Sequence, residues 1–218
     1  MARLVTGPVV EAARGLIGAL LVREGGADRR TGRIIEVEAY AGPEDRASHA
    51  RFGPRSRAAT MFGAPGRAYV YGVYGMHTCL NVVVGPVGSG AAILLRAVEP
   101  LEGVAAMREA RLVASLAHRR APAADPAAEA ARIARLPVGR LASGPANLAA
   151  AFGVERAENG LDLLDPAGAL RLEPGGSDGP EPVIVATPRI GVAYAGPGWG
   201  DRPWRFVASH APTDGTRA

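Results

Sequence analysis

Residues 31–40 have the sequence TGRIIEVEAY, in which apolar and polar side chains alternate. Successive side chains of a β-strand point to opposite faces, so this alternation predicts a strand. Two faces are expected, one with Ile35, Val37 and Ala39 and the other with Ile34, Glu36, Glu38 and Tyr40. On the second face, the carboxylate of Glu38 and the ring of Tyr40 would project side by side, about 7 Å apart along the chain.

More strands are predicted on the C-terminal side of this segment. AYVY, residues 68–71, and MHTCLNVVV, residues 76–84, flank the glycine-bounded stretch GVYG at 72–75. This composition is typical of a tight β-hairpin, with Tyr74 at its tip. AAILLRAV, residues 91–98, predicts a further strand that ends at the Glu-Pro pair that follows it.

Helical patterns lie on both sides of these strands. Apolar residues at helical spacing predict helices over residues 9–22 and 101–120. The Ala/Pro-rich residues 121–137 predict a surface insertion. The Gly-Pro pair at 144–145 is expected to open a short helix, because proline is favoured in the first turn.

The predicted fold class is α+β, with a curved, largely antiparallel β-sheet flanked by helices and a protruding β-hairpin. Residues 41–66 are expected to form a long functional loop, and residues 165–185 to form strands joined by turns. A length of 218 residues suits one domain. We expect a single domain over residues 1–210 and a disordered tail over residues 211–218.

The charged residues restrict the chemistry. The net charge is +4, the pI is about 9.8, and the cations are arginines, since the sequence contains no lysine. The planar fork of donors on arginine suits phosphate oxygens, so the basic excess favours a nucleic-acid partner. Without lysine, the α-amino group is the only amine that could form a Schiff base.

Cysteine and histidine usage predicts that no metal and no cofactor is needed. Cys79 is the only cysteine, which excludes an intrachain disulfide, a thiolate zinc cluster and a cysteine-ligated iron–sulfur cluster. His49, His77, His118 and His210 do not have the spacing of a metal site. The N-terminal residues predict neither a signal peptide nor a membrane anchor, so a cytoplasmic protein is expected, associated with the nucleoid if bacterial.

Tyrosines are concentrated in the predicted hairpin. Tyr69, Tyr71 and Tyr74 are three of the five tyrosines in the chain. Tyrosines of a hairpin can simply pack across its strands, and an E-x-E pattern can line a strand that faces solvent. A planar side chain on a rigid hairpin tip also suits a wedge between base pairs, so Tyr74 is a candidate intercalating residue.

Five sequence blocks occur in the order of a known family. They are GRIIEVEAYAGPEDRASHA (32–50), MFGAPGRAYVYGVYGMHTCLN (61–81), ILLRAVEPLEG (93–103), LASGPANLAAAFGV (141–154) and RIGVAYAG (189–196). The sequence closely resembles the alkyladenine (3-methyladenine) DNA glycosylase family of the mammalian type. The resemblance covers roughly residues 9–207, nearly the whole chain.

The resemblance implies three groups that act on water. Glu38 matches the carboxylate that serves as general base. Arg96 and the backbone carbonyl of Val192 match the groups that position the water with Glu38. The family hydrolyses the N-glycosidic bond of a damaged purine and needs no metal or cofactor.

The resemblance also implies the residues that bind DNA. Tyr40, His49 and Tyr71 match the walls between which a flipped purine stacks, and His49 also offers a hydrogen bond. Asn81 matches a side chain that crowds the purine 2-position and disfavours normal guanine. Tyr74 matches the residue intercalated into the minor groove. The expected partner is double-stranded DNA that contains damaged purines, and the expected state is a monomer.

The sequence departs from the vertebrate pattern in three places. It lacks the long N-terminal extension, it has His77 where other members carry an aromatic residue, and Arg46 replaces an acidic residue in the loop. The first two leave the catalytic residues unchanged. Arg46 changes the charge of the loop and therefore bears on substrate range.

Two other function classes fit parts of the sequence. A noncatalytic nucleic-acid-binding domain would use the basic loop and the tyrosines, but it would not need Glu38. A nucleoside or carbohydrate hydrolase would use carboxylates and an aromatic subsite, but it would not need a wedge on a hairpin. Clustered tyrosines beside a polar loop argue against a purely structural protein.

Overall fold

Eight β-strands form one sheet in the computed structural model, which describes residues 1–25, 28–73, 77–117, 125–176 and 182–209. They are β1 (Leu20–Arg23), β2 (Arg30–Ala41), β3 (Ala68–Val73), β4 (His77–Val84), β5 (Ala91–Glu102), β6 (Leu170–Glu173), β7 (Val183–Thr187) and β8 (Arg205–Ser209). The strand order is β3-β4-β5-β2-β1-β6, with β8 beside the second half of β2 and β7 outside β8. The described pairings are antiparallel, which confirms the predicted sheet.

Helices and short 3-10 turns complete the α+β fold. The helices are α1 (Ala2–Val5), α2 (Val9–Leu16), α3 (Val104–Ala117), α4 (Pro126–Ala134) and α5 (Pro145–Ala151). The predicted short helix is confirmed as α5, with Pro145 in its first turn. The predicted loop over 41–66 contains two 3-10 turns, His49–Phe52 and Ala59–Phe62. Among the described helices, none is long and apolar enough to cross a membrane.

Two predicted helix boundaries are wrong. The helix predicted over 9–22 ends at Leu16, and the chain continues as β1 from Leu20. Between them, Gly18 adopts a φ of 90°, a backbone conformation that is strained for residues with a side chain. The strand predicted to end near residue 98 continues to Glu102. The next helix therefore begins at Val104, after a turn at Gly103, where an added Cβ would lie 2.2 Å from the Arg29 carbonyl oxygen.

The predicted faces of β2 are also partly wrong, because the ladder with β5 is irregular. Ile34 pairs with Val98, Glu36 pairs with Ala97, and Val37 pairs with Leu95. Because of this register shift, the side chain of Ile34, rather than that of Ile35, points into the main core, where it packs with Val37 and Ala39. The prediction for Glu38 is unaffected, because it lies beyond the irregularity.

The main core lies on one face of the sheet, against α2 and α5. It includes Leu80, Leu95 and Val37 from the strands, together with Leu16 from α2 and Phe152 after α5, and these are fully buried. Burying one such side chain stabilises the fold by about 1.5–3 kcal/mol. Side chains that alternate with these core residues point to the opposite face. That face carries the site described below.

The segment predicted as a surface insertion contains α4, which packs against α3. Ile133 of α4 is buried, and Arg108 of α3 donates hydrogen bonds to the carbonyls of Ile133 and Leu136. β6 and β7 confirm the strands predicted within residues 165–185. The expected tail at 211–218 and the hairpin tip at 74–76 lie outside the described residues. The single domain over 1–210 stays a prediction.

Candidate active site

A cavity of about 280 Å³ lies on the sheet face opposite the main core. Seven residues predicted for the site contribute to its walls: Glu38, Tyr40, His49, Tyr71, Asn81, Arg96 and Val192. The eighth, Tyr74, lies outside the described residues. A larger concavity of about 1010 Å³ between α3, α5 and the start of β4 contains none of these seven residues. The smaller cavity is the candidate site because the chemically relevant groups converge there.

Strand register builds one wall of this cavity. Tyr69 on β3 pairs with Asn81 on β4, which pairs with Leu94 on β5. Leu94 in turn pairs with Glu38 on β2, which pairs with Arg205 on β8. Directly opposite residues of antiparallel strands project from the same face. Five side chains distant in sequence therefore form a single row across five strands.

The carboxylate of Glu38 is fully buried and well partnered. Its Oε1 accepts a hydrogen bond of 2.8 Å from the Ile190 amide and lies 3.1 Å from Nη1 of Arg96. Its Oε2 accepts a hydrogen bond of 2.8 Å from the Tyr40 hydroxyl. A carboxylate has about four acceptor positions, so three described donors leave one on Oε2. An ionised carboxylate is tolerated in this buried position because its partners are cationic or strong donors.

Arg96 is held between two carboxylates of β2. Its Nε donates to Oε1 of Glu36 at 2.7 Å, while its Nη1 faces Glu38. Burial lowers the pKa of Arg96, but the charges of Glu38 and Glu36 outweigh burial and raise it. The guanidinium therefore remains charged at the cavity wall.

Aromatic rings form the other wall. The rings of His49 and Tyr71 meet edge to face, with centroids 4.6 Å apart, and those of Tyr69 and Tyr71 lie 5.4 Å apart. Burial raises the pKa of Tyr40 well above its ordinary value, and the adjacent Glu38 charge raises it further. Burial raises the pKa of Tyr71 in the same direction. The phenols therefore stay neutral and can stack on a planar ligand.

The hydrogen bonds of His49 fix its protonation state. Arg57, which can only donate, lies 3.0 Å from Nε2, so Nε2 accepts and the proton resides on Nδ1. That proton points to the Tyr69 hydroxyl, 2.9 Å from Nδ1. Burial, followed by the charges of Arg57 and Arg51, lowers the pKa of His49 to about 4. His49 is therefore a neutral ring at physiological pH.

Asn81 and Val192 both line the cavity. Asn81 is buried, and its Nδ2 donates to the Tyr69 carbonyl at 2.9 Å, which fixes the amide orientation. The Val192 carbonyl accepts a hydrogen bond of 2.9 Å from the Ala195 amide. A carbonyl oxygen has two lone pairs, so that of Val192 can accept one further hydrogen bond.

A buried ion pair missed by sequence reasoning joins the two loops around the site. Arg189 and Asp45 have no exposed side-chain surface, and Arg189 also donates to the Ala39 and Trp199 carbonyls. The Asp45 carboxylate further accepts from the Ala41 and Ala47 amides. Arg189 immediately precedes Ile190, whose amide contacts Glu38. In the sequence, only the adjacent acidic residues Glu44 and Asp45 of the GPEDRASHA loop could have indicated such an anchor.

Comparison with known proteins places the chain in a family. Residues 3–212 match the family model described as methylpurine-DNA glycosylase. A putative 3-methyladenine DNA glycosylase of Anaeromyxobacter dehalogenans is 43% identical over 196 residues, which are 89% of this chain and 76% of the relative. One from Myxococcus xanthus is 43% identical over 91% of this chain and 84% of the relative. The DNA-3-methyladenine glycosylase of Homo sapiens is 40% identical over 94% of this chain and 64% of the human protein.

The family-model match extends over both loops around the cavity and all strands of the row that carries Glu38. It confirms the resemblance found in the sequence blocks. The chain belongs to the methylpurine-DNA glycosylase family.

Proposed function

We propose that the protein is a monofunctional DNA glycosylase that acts on alkylated or deaminated purines rotated out of duplex DNA. It hydrolyses the N-glycosidic bond and leaves an abasic site, the first step of base excision repair. The substrate class comprises 3-methyladenine, 7-methylguanine, hypoxanthine and ethenoadenine. The observation that carries this proposal is the fully buried, well-partnered carboxylate of Glu38 on the wall of a cavity of about 280 Å³.

Glu38 has the geometry of a general base. Its one remaining acceptor position, on Oε2, can receive a hydrogen bond from water. The Val192 carbonyl can accept the second hydrogen of that water, and the Arg96 guanidinium can orient its oxygen. As the water attacks the anomeric carbon, its proton passes to Glu38 and the electrons of the C–N bond leave with the purine.

The same carboxylate stabilises the transition state. Cleavage of a purine–deoxyribose bond passes through an oxocarbenium-like state, and a fixed negative charge lowers its energy. The three donors to Glu38 hold that charge in place before reaction, so little reorganisation is needed. A purine alkylated at N3 or N7 is itself cationic, so the neutral aromatic walls bind it by cation–π attraction.

Side chains of the cavity wall recognise the flipped purine. Tyr40, His49 and Tyr71 provide aromatic faces for stacking, and Asn81 crowds the purine 2-position against normal guanine. The proposed wedge that fills the vacated stack is Tyr74, which lies in sequence between β3 and β4. Arg57 contacts the His49 ring and Arg51 lies over the Tyr194 ring, both of which line the cavity. These arginines are proposed to contact phosphates, so binding should fall as salt rises. The protein works as a monomer in the cytoplasm, on the nucleoid if bacterial.

The composition argues for hydrolysis without strand cleavage. A glycosylase that also cleaves the strand forms a Schiff base through an amine, and the sequence has no lysine to supply it. The α-amino group is the only other amine. The product is therefore an intact strand with an abasic site.

The test is excision from a duplex oligonucleotide with one hypoxanthine or one 3-methyladenine, followed by alkali to cleave abasic sites. Glu38→Gln should lower the single-turnover rate by about 10² to 10⁴ and leave DNA affinity nearly unchanged. Glu99→Gln is the matched control, because Glu99 lies on β5 and its ion pair among the described residues is the long one of 4.0 Å to Arg33. Cleavage without alkali would contradict the monofunctional assignment.

The same assay distinguishes the proposed glycosylase from two alternative functions. A noncatalytic nucleic-acid-binding domain would bind the lesion duplex tightly but would release neither base. A nucleoside hydrolase would act on free nucleosides at least as fast as on duplex DNA. Either result would replace the proposal.

A further inference from the structure

The Arg96 guanidinium beside Glu38 is part of a group of four charges. Its Nε donates to Oε1 of Glu36 at 2.7 Å, and the Nε of Arg205 donates to the same oxygen at 2.7 Å. Arg205 also donates from Nη1 to the Thr187 hydroxyl at 2.9 Å, which fixes its orientation. Two carboxylates and two guanidiniums from three strands therefore balance one another.

The backbone is irregular at this point. Between Ile34 and Val37 the β2–β5 ladder changes register, so that Ile35 on β2 and Arg96 on β5 have no directly opposite partner. β-Bulges are frequent beside active sites, where they redirect a side chain. Here the irregularity leaves the Arg96 guanidinium between the two carboxylates of the E-x-E motif.

Without Glu36, Arg96 would have one carboxylate partner in place of two. A guanidinium and a carboxylate prefer a two-pronged contact, so Arg96 would occupy the last acceptor position of Glu38. That position is where the water must bind. An uncompensated positive charge would also make Glu38 a weaker base.

We propose that Glu36 and Arg205 are positioning residues that divide the Arg96 guanidinium between two carboxylates and so keep Glu38 available to accept a proton from water. The inference rests on the proposed function of Glu38 as general base. It assigns a role to both carboxylates of the E-x-E motif, of which only the second touches the reacting water.

The charge states support this division. Burial raises the pKa of Glu36, but hydrogen bonds from Arg205 and Arg96 outweigh burial and lower it. Glu36 is therefore ionised throughout the neutral range. Its partner Arg96 stays protonated because its own pKa is raised.

The other titratable or charged groups around Glu38 come from every element that surrounds it. They are Tyr40 on β2, Tyr69 and Tyr71 on β3, Cys79 on β4, His49 in the 3-10 turn, Asp45 in the loop after β2, and Arg189 and Tyr194 in the segment before β8. Burial raises the pKa of Tyr40, Tyr71 and Cys79, so these three stay neutral. Burial and the charges of Arg57 and Arg51 lower the pKa of His49 to about 4, and neither Glu36 nor Arg205 is among these causes. Differences between the variants are therefore expected to report on Glu38.

The experiment measures the single-turnover excision rate as a function of pH in the wild type, Glu36→Gln, Arg205→Gln and the double variant. The quantity compared is the pH at which the rate falls on the acidic side, called the acid limb. Removing Glu36 adds net positive charge, so the acid limb should move to lower pH. Removing Arg205 adds net negative charge, so the limb should move to higher pH. A unit charge about 7 Å away at an effective dielectric constant of about 20 gives a shift of roughly one to two pH units.

The double variant restores neutrality, so its acid limb should return close to the wild-type position. The plateau rate of Glu36→Gln should fall by about 5- to 50-fold, less than that of Glu38→Gln. Glu99→Gln should move neither the limb nor the plateau. A merely structural role would not give shifts of opposite sign.

Several outcomes would overturn the inference. Unmoved acid limbs in both single variants would do so, and so would shifts of the same sign. If Glu36→Gln does not fold, Arg205→Gln decides alone, and an absent upward shift contradicts the proposal. A fully active Glu38→Gln would instead remove the proposed function, whereas an inactive Glu38→Gln with unmoved limbs removes only this inference.

Discussion

Arg189 donates to both carboxylate oxygens of Asp45, at 2.5 Å from Nη1 and 3.0 Å from Nη2, and neither side chain has any exposed surface. The pair connects the loop after β2 to the segment before β8. The guanidinium also lies over the ring of Tyr40, 4.8 Å from its centroid. The ion pair therefore supports two residues that donate hydrogen bonds to Glu38. Tyr40 packs against the Arg189 guanidinium, and Ile190 directly follows Arg189 in the chain.

Removing one partner of this pair should be strongly destabilising. Asp45→Asn leaves the guanidinium buried without a counter-charge, which costs about 3–5 kcal/mol in the free energy of unfolding. Urea unfolding at neutral pH measures the loss. The matched control is Asp162→Asn, because Asp162 forms an exposed pair with Arg67 at 3.7 Å and should lose less than about 1 kcal/mol. Equal losses in the two variants would contradict the role of burial.

The depressed pKa of His49 predicts how stability depends on pH. The pKa is about 4 in the folded protein and 6.5 in the unfolded chain, so the unfolded chain binds the proton more readily between these values. The contribution of His49 is therefore complete above pH 6.5 and is lost as the pH falls towards 4. Because the ring is partly exposed, the loss should be on the order of 1 kcal/mol.

Urea unfolding of the wild type and His49→Asn at several pH values tests this dependence. The difference between them should change across pH 4 to 6.5 and be constant above it. Arg57→Gln should reduce the slope, because the charge of Arg57 is the second cause of the low pKa after burial. A difference that does not depend on pH would show that His49 has an ordinary pKa.

Tyr74→Ser should separate base flipping from DNA binding. The variant loses the planar side chain that fills the gap in the stack, so less of the lesion is extrahelical and excision slows. A fluorescent purine at the lesion, whose emission rises on unstacking, measures the flipped fraction. The salt dependence of binding to undamaged DNA should be unchanged, because the arginines remain. An unaltered flipped fraction would remove Tyr74 from this role.

Asn81→Ala should relax discrimination at the purine 2-position. Guanine carries a 2-amino group and hypoxanthine does not, so the variant should release guanine about 10-fold or more faster and release hypoxanthine at nearly the wild-type rate. The release of each base from otherwise identical duplexes is measured under single-turnover conditions. An equal change for both bases would show that Asn81 acts through the fold, for example through its hydrogen bond to Tyr69.

Much of the fold was predictable because its signals are local. Alternation in residues 31–40 gave a strand, and the glycine-bounded run gave a hairpin whose two strands are β3 and β4. The two wrong boundaries, at Leu16 and at Val104, fall where a glycine turns the chain. The face of Ile34 could not be predicted, because a bulge depends on pairing with a strand that lies 60 residues away.

The sequence by itself determined the family, the strand that carries Glu38 and Tyr40, and the absence of a lysine for Schiff-base chemistry. Only the tertiary structure placed the Ile190 amide on Glu38 and the Arg96 guanidinium between two carboxylates. It also fixed the tautomer of His49 through Arg57. The physical reason is that residue type and spacing are local properties, whereas strand register, burial and charge pairing arise between segments far apart in the chain.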